Sequence, residues 1–287
     1  MARIPESELI LNADGSIYHL NLLPEMISDT IITVGDQDRV ALVSKHFDSI
    51  EIQVAKREFV THTGYYKGKR ISVVSTGIGT DNIDIVLNEL DALVNVDFVT
   101  REPLAPEDRI SLKIVRIGTS GALQEDVPLG SHLATEYAVG LDTLMQFYPL
   151  METGFETEIA VQLQLALGLG FLPYCVKGSD LLREQVAHDM IMGNTFTCPG
   201  FYAPQGRLLR LQPKIEGVIE KLKSFEYETI KFTNFEMETA GIYSLGRLLG
   251  HDVLSLNAIV ANRITHQFAP NVNEIIDDLV VKVLERI

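Results

Sequence analysis

The chain has only two cysteines in 287 residues, Cys175 and Cys198. They lack Cys-x-x-Cys spacing and are too few for a disulfide framework, which suits a reducing compartment, so both are expected to be buried thiols and not nucleophiles. Basic residues are also scarce: 24 Lys and Arg stand against 39 Asp and Glu, a formal net charge of -15. Such a field repels polyanions, which argues against loose binding to nucleic acid or to an anionic membrane; any bound phosphate needs arginines gathered locally. No run of about 18 apolar residues is present, so no membrane span is expected. Glu6, Glu8 and Asp14 interrupt the amino-terminal stretch, which has neither the basic start nor the apolar middle of a signal peptide. A soluble cytoplasmic protein is the expectation. The histidines show no metal spacing. His132 and Glu136 fall in a strand-like run without a third ligand, so no transition-metal site is expected.

What is present is enough apolar material for a full core. With 46% hydrophobic residues, the length suits one large α/β domain over 1–287 better than two small ones. Strands are expected at 30–34, 71–76, 114–117, 132–139, 173–177, 230–232 and 253–260. Between them, apolar residues recur at helical spacing over 81–94, 158–169, 213–222, 237–249 and 273–286. In the last of these Ile275, Ile276, Leu279, Val280, Val283 and Leu284 form one face, which is expected to close the core. Alternation of this kind is the signature of an α/β fold. No internal repeat or low-complexity tract interrupts it, and 100–108, with Pro103 and Pro106 among charges, reads as a surface loop.

Ligands in open α/β sheets bind beyond the carboxyl ends of strands, so strand ends followed by glycine are informative. Three occur: Val34-Gly35-Asp36, Thr76-Gly77-Ile78-Gly79, and the run from Arg116 to Gly121. The second resembles part of a dinucleotide fingerprint, but Asn82 stands where the third glycine belongs, which argues against a Rossmann cofactor site. The third reads G-T-S-G and not G-x-S-x-G, so Ser120 lacks the nucleophile turn. Arg116 interrupts an apolar strand, where an unpaired charge is costly, so it must meet a carboxylate or an anionic ligand. Arg39 follows Gly35-Asp36-Gln37-Asp38 and either joins Arg116 at that anion or pairs with Asp36 or Asp38. Two guanidinium groups, the Thr119 hydroxyl and loop amides make a phosphate site.

Two further segments hold polar side chains of interest. The run NFEMET, 234–239, puts Glu236 and Glu238 at the mouth of a helix. Thr233 and Glu236 have capping-box spacing, which accounts for Glu236. Glu238 is then either a solvated first-turn acid or an acceptor for vicinal sugar hydroxyls. His19 is a candidate donor to a sugar hydroxyl or a local cap. The run NTFTCPGFYAPQGR, 194–207, has no helical period and ends on Gln205 and Arg207. In extended backbone those two side chains point the same way. An amide that accepts and donates, beside a donor fork, complements the edge of uracil or a similar flat imide. The alternative is a surface loop with two solvated polar residues.

Taken in order, GDQDRV, REF, STGIG, RIGTSGAL, GNTFTCPGFYAPQGR, NFEMET and ANR resemble, collinearly from His19 to Arg263, the uridine phosphorylases of the nucleoside phosphorylase family. The resemblance implies a single α/β/α domain around a mixed, twisted sheet. It implies reversible phosphorolysis of a pyrimidine nucleoside by inorganic phosphate as co-substrate, with no organic cofactor. It assigns Gly35, Arg39, Arg57, Arg116 and Thr119 to phosphate, Arg57 being lent by a neighbouring subunit. His19, Met237 and Glu238 fall on ribose positions, with His19 lent across the interface to the 5′-hydroxyl. Phe201, Gln205, Arg207 and Arg263 fall on base positions. Catalysis is assigned to Arg116, Glu238, Gln205 and Arg207. A homo-oligomer follows, either a dimer or a hexamer built of dimers.

Departures from the family pattern fall at two turns. After STGIG the chain reads TDNID where many relatives have Gly-Pro-Ser, and GDQDR replaces a turn with proline before the acid. Some bacterial relatives bind a monovalent cation at the dimer interface through the Glu of REF, here Glu58, and the altered turn disturbs the rest of that site. A purine-cleaving relative needs an acid near the purine N7, whereas the corresponding strand end reads Ala261-Asn262-Arg263. The competing readings are a purine nucleoside phosphorylase, a hydrolytic nucleosidase, and a nucleoside-binding homologue without turnover.

Overall fold

The computed structural model describes residues 3–287. After an amino-terminal strap the chain forms β1 (Thr30–Val34), α1 (Gln37–Ser44), β2 (Ser49–Lys56), β3 (Phe59–Tyr66), β4 (Lys69–Ser75) and α2 (Thr80–Asn95). Two short strands, β5 (Val96–Asp97) and β6 (Glu102–Pro103), lead to β7 (Lys113–Ala122), β8 (His132–Gly140), α3 (Gly154–Leu167) and β9 (Tyr174–Lys177). Then come α4 (Asp180–Val186), β10 (Ile191–Thr197), α5 (Val218–Ser224), β11 (Phe232–Glu236), α6 (Thr239–Leu249), β12 (Asp252–Asn262), β13 (Gln267–Phe268) and α7 (Val272–Arg286). The expected α/β class and mixed sheet are present.

Eleven strands join in one sheet, in which β1, β4, β3 and β2 form one wing. The rest closes on itself: β12 pairs with both β7 and β8, and β10 and β11 complete the ring back to β7. Length makes this possible. β7 pairs with β1 through Lys113–Ile117 but meets β11 only at Gly121 and Ala122. Its middle, Gly118 to Ser120, therefore leaves one neighbour before gaining the next, and a strand switch of this kind opens a crevice at the sheet edge.

Helices cover both faces because their apolar stripes need burial. On one side Ile83, Val86, Leu87 and Leu90 of α2 pack with Ile242 and Leu245 of α6 and with Ile17, Leu20 and Leu22 of the strap. On the other, Val40 and Val43 of α1 pack with Ile276, Leu279, Val280, Val283 and Leu284 of α7. Side chains from α3 and α5 gather over Phe196, Phe232 and Phe235 as a further cluster. Cys175 and Cys198 lie unpaired in this apolar material, and burial pushes both thiols up, so neither is poised as a nucleophile. Among the described residues no helix is long and apolar enough to cross a membrane.

Residues 100–108 lie at the surface between α2 and β7 as expected, but they are pinned: β6 pairs with β5, and Arg101 is buried, its guanidinium donating to the carbonyls of Ile4, Pro5 and Leu9. Two local expectations need correction. Thr233 lies inside β11 and donates to the Asn194 carbonyl, so no capping box forms with Glu236. Gln205 ends a short 3-10 turn, Ala203–Gln205, and Gly206 is left-handed at φ 67°, so the segment is not extended there.

Candidate active site

All three glycine-marked strand ends open into one cleft of about 840 Å³. Gly35, Asp36 and Arg39 line it from β1 and α1, Gly77 and Ile78 from the turn after β4, and Arg116, Thr119, Ser120 and Gly121 from β7. Phe201, Gln205 and Arg207 line it from the segment after β10, and Met237, Glu238 and Ala261 come from the ends of β11 and β12.

Arg116 is the floor of this cleft and is only 5% exposed. Its guanidinium donates to Glu238 and lies 3.1 Å from Glu236 Oε2. Burial acts against the Arg116 charge, and the two carboxylates overcome it, so the net effect is to raise its pKa. Space for the group comes from Gly118, where a Cβ would land on the guanidinium and 2.9 Å from Asn257 Oδ1. The charge is thus placed by the strand and held by two acids.

The two acids differ in what else they hold. Glu236 accepts from Thr197 Oγ1 at 2.7 Å and from the backbone N–H groups of Glu238 and Thr239, so its carboxylate caps α6 directly. Glu238 stands at the N-cap position of α6, is 5% exposed, and accepts from Gly79 N–H at 2.8 Å. It is not a solvated acid. Burial raises its pKa, the Arg116 charge opposes that, and the Glu236 charge adds to it. Gly79 sits at φ 98°, a conformation that brings its N–H to the carboxylate and that side chains disfavour. The altered TDN turn therefore still delivers the contact.

Arg39 forms no ion pair with Asp36 or Asp38 among the described residues; Asp36 instead accepts from Asp38 N–H as the N-cap of α1. Burial, followed by the nearby Arg116 charge, lowers the Arg39 pKa, with Asp36 and Glu238 opposing. Two guanidinium groups thus face one crevice beside Thr119. Such an arrangement gains from an anion between them.

Gln205, which also lines the cleft, is 3% exposed. Its Oε1 accepts from Arg207 Nη1 at 2.5 Å, and the same nitrogen donates to the Phe201 carbonyl at 2.6 Å. The left-handed turn at Gly206 folds the two side chains together, so they meet for a different reason than strand alternation. Arg207 lies over the Phe201 ring at 3.6 Å, and burial together with the Arg263 charge pushes its guanidinium down to about 10. Arg263 lies behind the wall, donating to the Gln205 carbonyl at 3.2 Å and stacking on Phe235 at 5.3 Å. Asn262 is turned away, its amide donating to the Gln124 and Val127 carbonyls.

His19 and Arg57 do not line the cleft. Both lie against Tyr18: Arg57, at φ 55° in the β2–β3 turn, lies over the Tyr18 ring at 5.6 Å, and the His19 ring packs edge-on against Tyr18 and Phe59. Glu58, the next residue after Arg57, does reach the cleft, beside Asn82. Sequence reasoning missed Glu236 as a member of the ion-paired cluster. Its signal was the two-residue spacing to Glu238 at a strand end, which puts both carboxylates on one side.

Sheet, strand switch and cleft are together those of an α/β enzyme of the nucleoside phosphorylase fold. A Trypanosoma brucei nucleoside phosphorylase described as showing uridine phosphorylase activity superposes with a TM-score of 0.88 at 27% identity, over 97% of this chain and 99% of that one. The chain belongs to the phosphorylase superfamily, whose sequence model matches residues 29–285. By this membership it is a pentosyltransferase. Its relatives divide by substrate. The uridine phosphorylase of Thermococcus kodakarensis is 28% identical over 258 residues, 89% of this chain and 80% of that protein. The DeoD-type purine nucleoside phosphorylase of Alkaliphilus metalliredigens is 28% identical over 248 residues, 86% of this chain and 88% of that protein.

Proposed function

We infer that the protein catalyses reversible phosphorolysis of uridine or a related pyrimidine nucleoside. A phosphate oxygen bonds to the anomeric carbon as the carbon–nitrogen bond to the base breaks. The electron pair leaves with the base, which takes up a proton, and ribose 1-phosphate forms. Sugar gains cationic character and base gains negative charge at the transition state, so catalysis consists of stabilising both ends of a separating pair.

Arg39, Arg116, Thr119 and the Gly35 turn are assigned to phosphate, Met237 and Glu238 to ribose, and Phe201, Gln205, Arg207 and Arg263 to the base. Glu238 is suited to accept from the ribose hydroxyls once phosphate takes over part of the Arg116 charge. Gln205 and Arg207 donate to the departing base, and each such donor in a dry pocket lowers the barrier by roughly 2.7–4 kcal/mol, by analogy with oxyanion-hole deletions. His19 and Arg57 are assigned to the cleft of a neighbouring copy, which is the reason for a homo-oligomer. Phosphate is the co-substrate, no organic cofactor enters, and pyrimidine salvage in the cytoplasm is the setting.

The observation that carries the pyrimidine choice is the pairing of buried Gln205 with half-buried Arg207 in the same cleft as Arg116 and Glu238, beside a strand end, Ala261 to Arg263, that offers no acid. Incubation with uridine, inosine or 5′-methylthioadenosine, each with and without phosphate, tests it. Uracil release only with phosphate is expected. Purine release instead would transfer the assignment to the purine enzymes, equal release without phosphate would mean hydrolysis, and no release would mean a binding protein.

A further inference from the structure

Glu89, on α2, lies outside the cleft, yet all of its hydrogen bonds go to one short segment. Oε1 lies 2.6 Å from His19 Nδ1 and accepts from His19 N–H at 3.0 Å, while Oε2 accepts from Leu20 N–H at 2.8 Å. An ionised carboxylate only accepts, so Nδ1 must hold the proton of this contact. The ring cannot easily turn: it is set edge-on between Tyr18, with centroids 4.7 Å apart, and Phe59, at 6.4 Å. The segment itself is fastened by Lys56, whose Nζ donates to the Tyr18 carbonyl at 2.6 Å and to Asn12 Oδ1 at 2.9 Å. His19 keeps 26% of its side chain exposed, and its Nε2 has no partner among the described residues.

We propose that Glu89 is a positioning residue that fixes the orientation and the Nδ1-protonated form of His19, so that the neutral ring offers Nε2 as an acceptor to the 5′-hydroxyl of a nucleoside held in a second copy's cleft. This rests on the reading of His19 as a lent ribose contact. It also defines the substrate class at that position. A 5′-hydroxyl donates to a bare Nε2, whereas a 5′-phosphate dianion or a 5′-deoxy sugar has nothing to donate. The site is therefore built for free nucleosides and not for nucleotides.

Glu89→Gln keeps an acceptor for the backbone N–H groups but supplies an amide donor to Nδ1, which sends the ring proton to Nε2. In the variant the 5′-hydroxyl can no longer donate to Nε2 and must turn to accept from Nε2–H, so kcat/KM for uridine is expected to fall by up to about tenfold, the size of one hydrogen bond, while 5′-deoxyuridine is turned over as before. Equal falls on both substrates would reduce Glu89 to a structural tie and overturn the proposal, as would no fall on either. Nitrogen-15 spectra of the His19 ring, at a pH where it is neutral, need no turnover. They should show protonated Nδ1 in the natural protein and protonated Nε2 in Glu89→Gln, and the same form in both would overturn the proposal. His19→Ala separates the two layers. If the preference for uridine over 5′-deoxyuridine survives it, the ribose role of His19 is wrong and the proposal falls with it; if the preference vanishes there but survives Glu89→Gln, only Glu89 is misassigned.

Discussion

Arg207 is held through one nitrogen, Nη1, which donates to both the Gln205 amide oxygen and the Phe201 carbonyl, and it is half-buried and lines the cleft, so its side chain is dispensable for the core. Arg207→Ala is expected to lower kcat/KM for uridine by about 100-fold or more while moving stability by less than about 1 kcal/mol. Steady-state kinetics beside a urea titration check both, and unchanged kinetics would remove Arg207 from the site. Glu238 is the opposite case. Burial raises its pKa above the ordinary 4.5, so the folded state holds its proton more tightly than the unfolded chain does. Ionised Glu238 therefore costs stability above its folded pKa, and the cost disappears below the unfolded value. Glu238→Gln is expected to be more stable than the natural protein near about pH 8, with the advantage fading toward about pH 4, and to lose activity by about 100-fold or more. A variant less stable at about pH 8 would show that pairing with Arg116 outweighs burial. Sequence made Arg116 legible because a cation inside an apolar strand demands a partner. It could not say that the partners are Glu236 and Glu238, which lie more than a hundred residues away in the chain.

At the scale of elements the site depends on β7 changing neighbours. Gly118 stands at the change, and its missing side chain is the room in which the Arg116 guanidinium lies. Gly118→Ala is expected to cost about 1–3 kcal/mol through overpacking and to raise the KM for phosphate more than the KM for uridine. Equal effects on the two constants would mean that the alanine disturbs the whole sheet and not the anion site. The long helices α2 and α7 and most of the buried strands were legible because their apolar periodicity is strong, and the expected 30–34 strand coincides with β1; β10 was not among the expected strands, and the expected 230–232 strand meets β11 only at Phe232. The hairpin of β2 and β3 was not legible, because β2 lies at the end of the sheet order and its residues alternate between exposed and half-buried, which gives no apolar run. The eight-residue α1 was too short for a period to show. Nor was the ring closure: pairing β12 with both β7 and β8 is a long-range choice that local pattern does not encode.

The whole molecule gathers into one cleft most of the residues that the family pattern assigned to phosphate, ribose and base, and leaves outside its lining Arg263, held against the Gln205 carbonyl, and His19 and Arg57, each against Tyr18. If these two complete the cleft of a second copy, activity requires association. Sedimentation of the active protein is expected to show a dimer or a larger even-numbered assembly, and a fully active monomer would contradict that assignment. What sequence order could foresee here was membership of the cleft, because strand ends converge wherever parallel strands lie side by side. Which residues stay outside is a property of the folded surface. The central claim is that one cavity holds an anion on Arg39, Arg116 and Thr119 and a pyrimidine on Gln205 and Arg207. A crystal structure with phosphate and uracil tests it most directly. The anion should lie within hydrogen-bonding distance of both guanidinium groups and the base edge against Gln205 and Arg207, with room for a pentose between them; an anion bound away from Arg116, or a base held elsewhere, would contradict the claim.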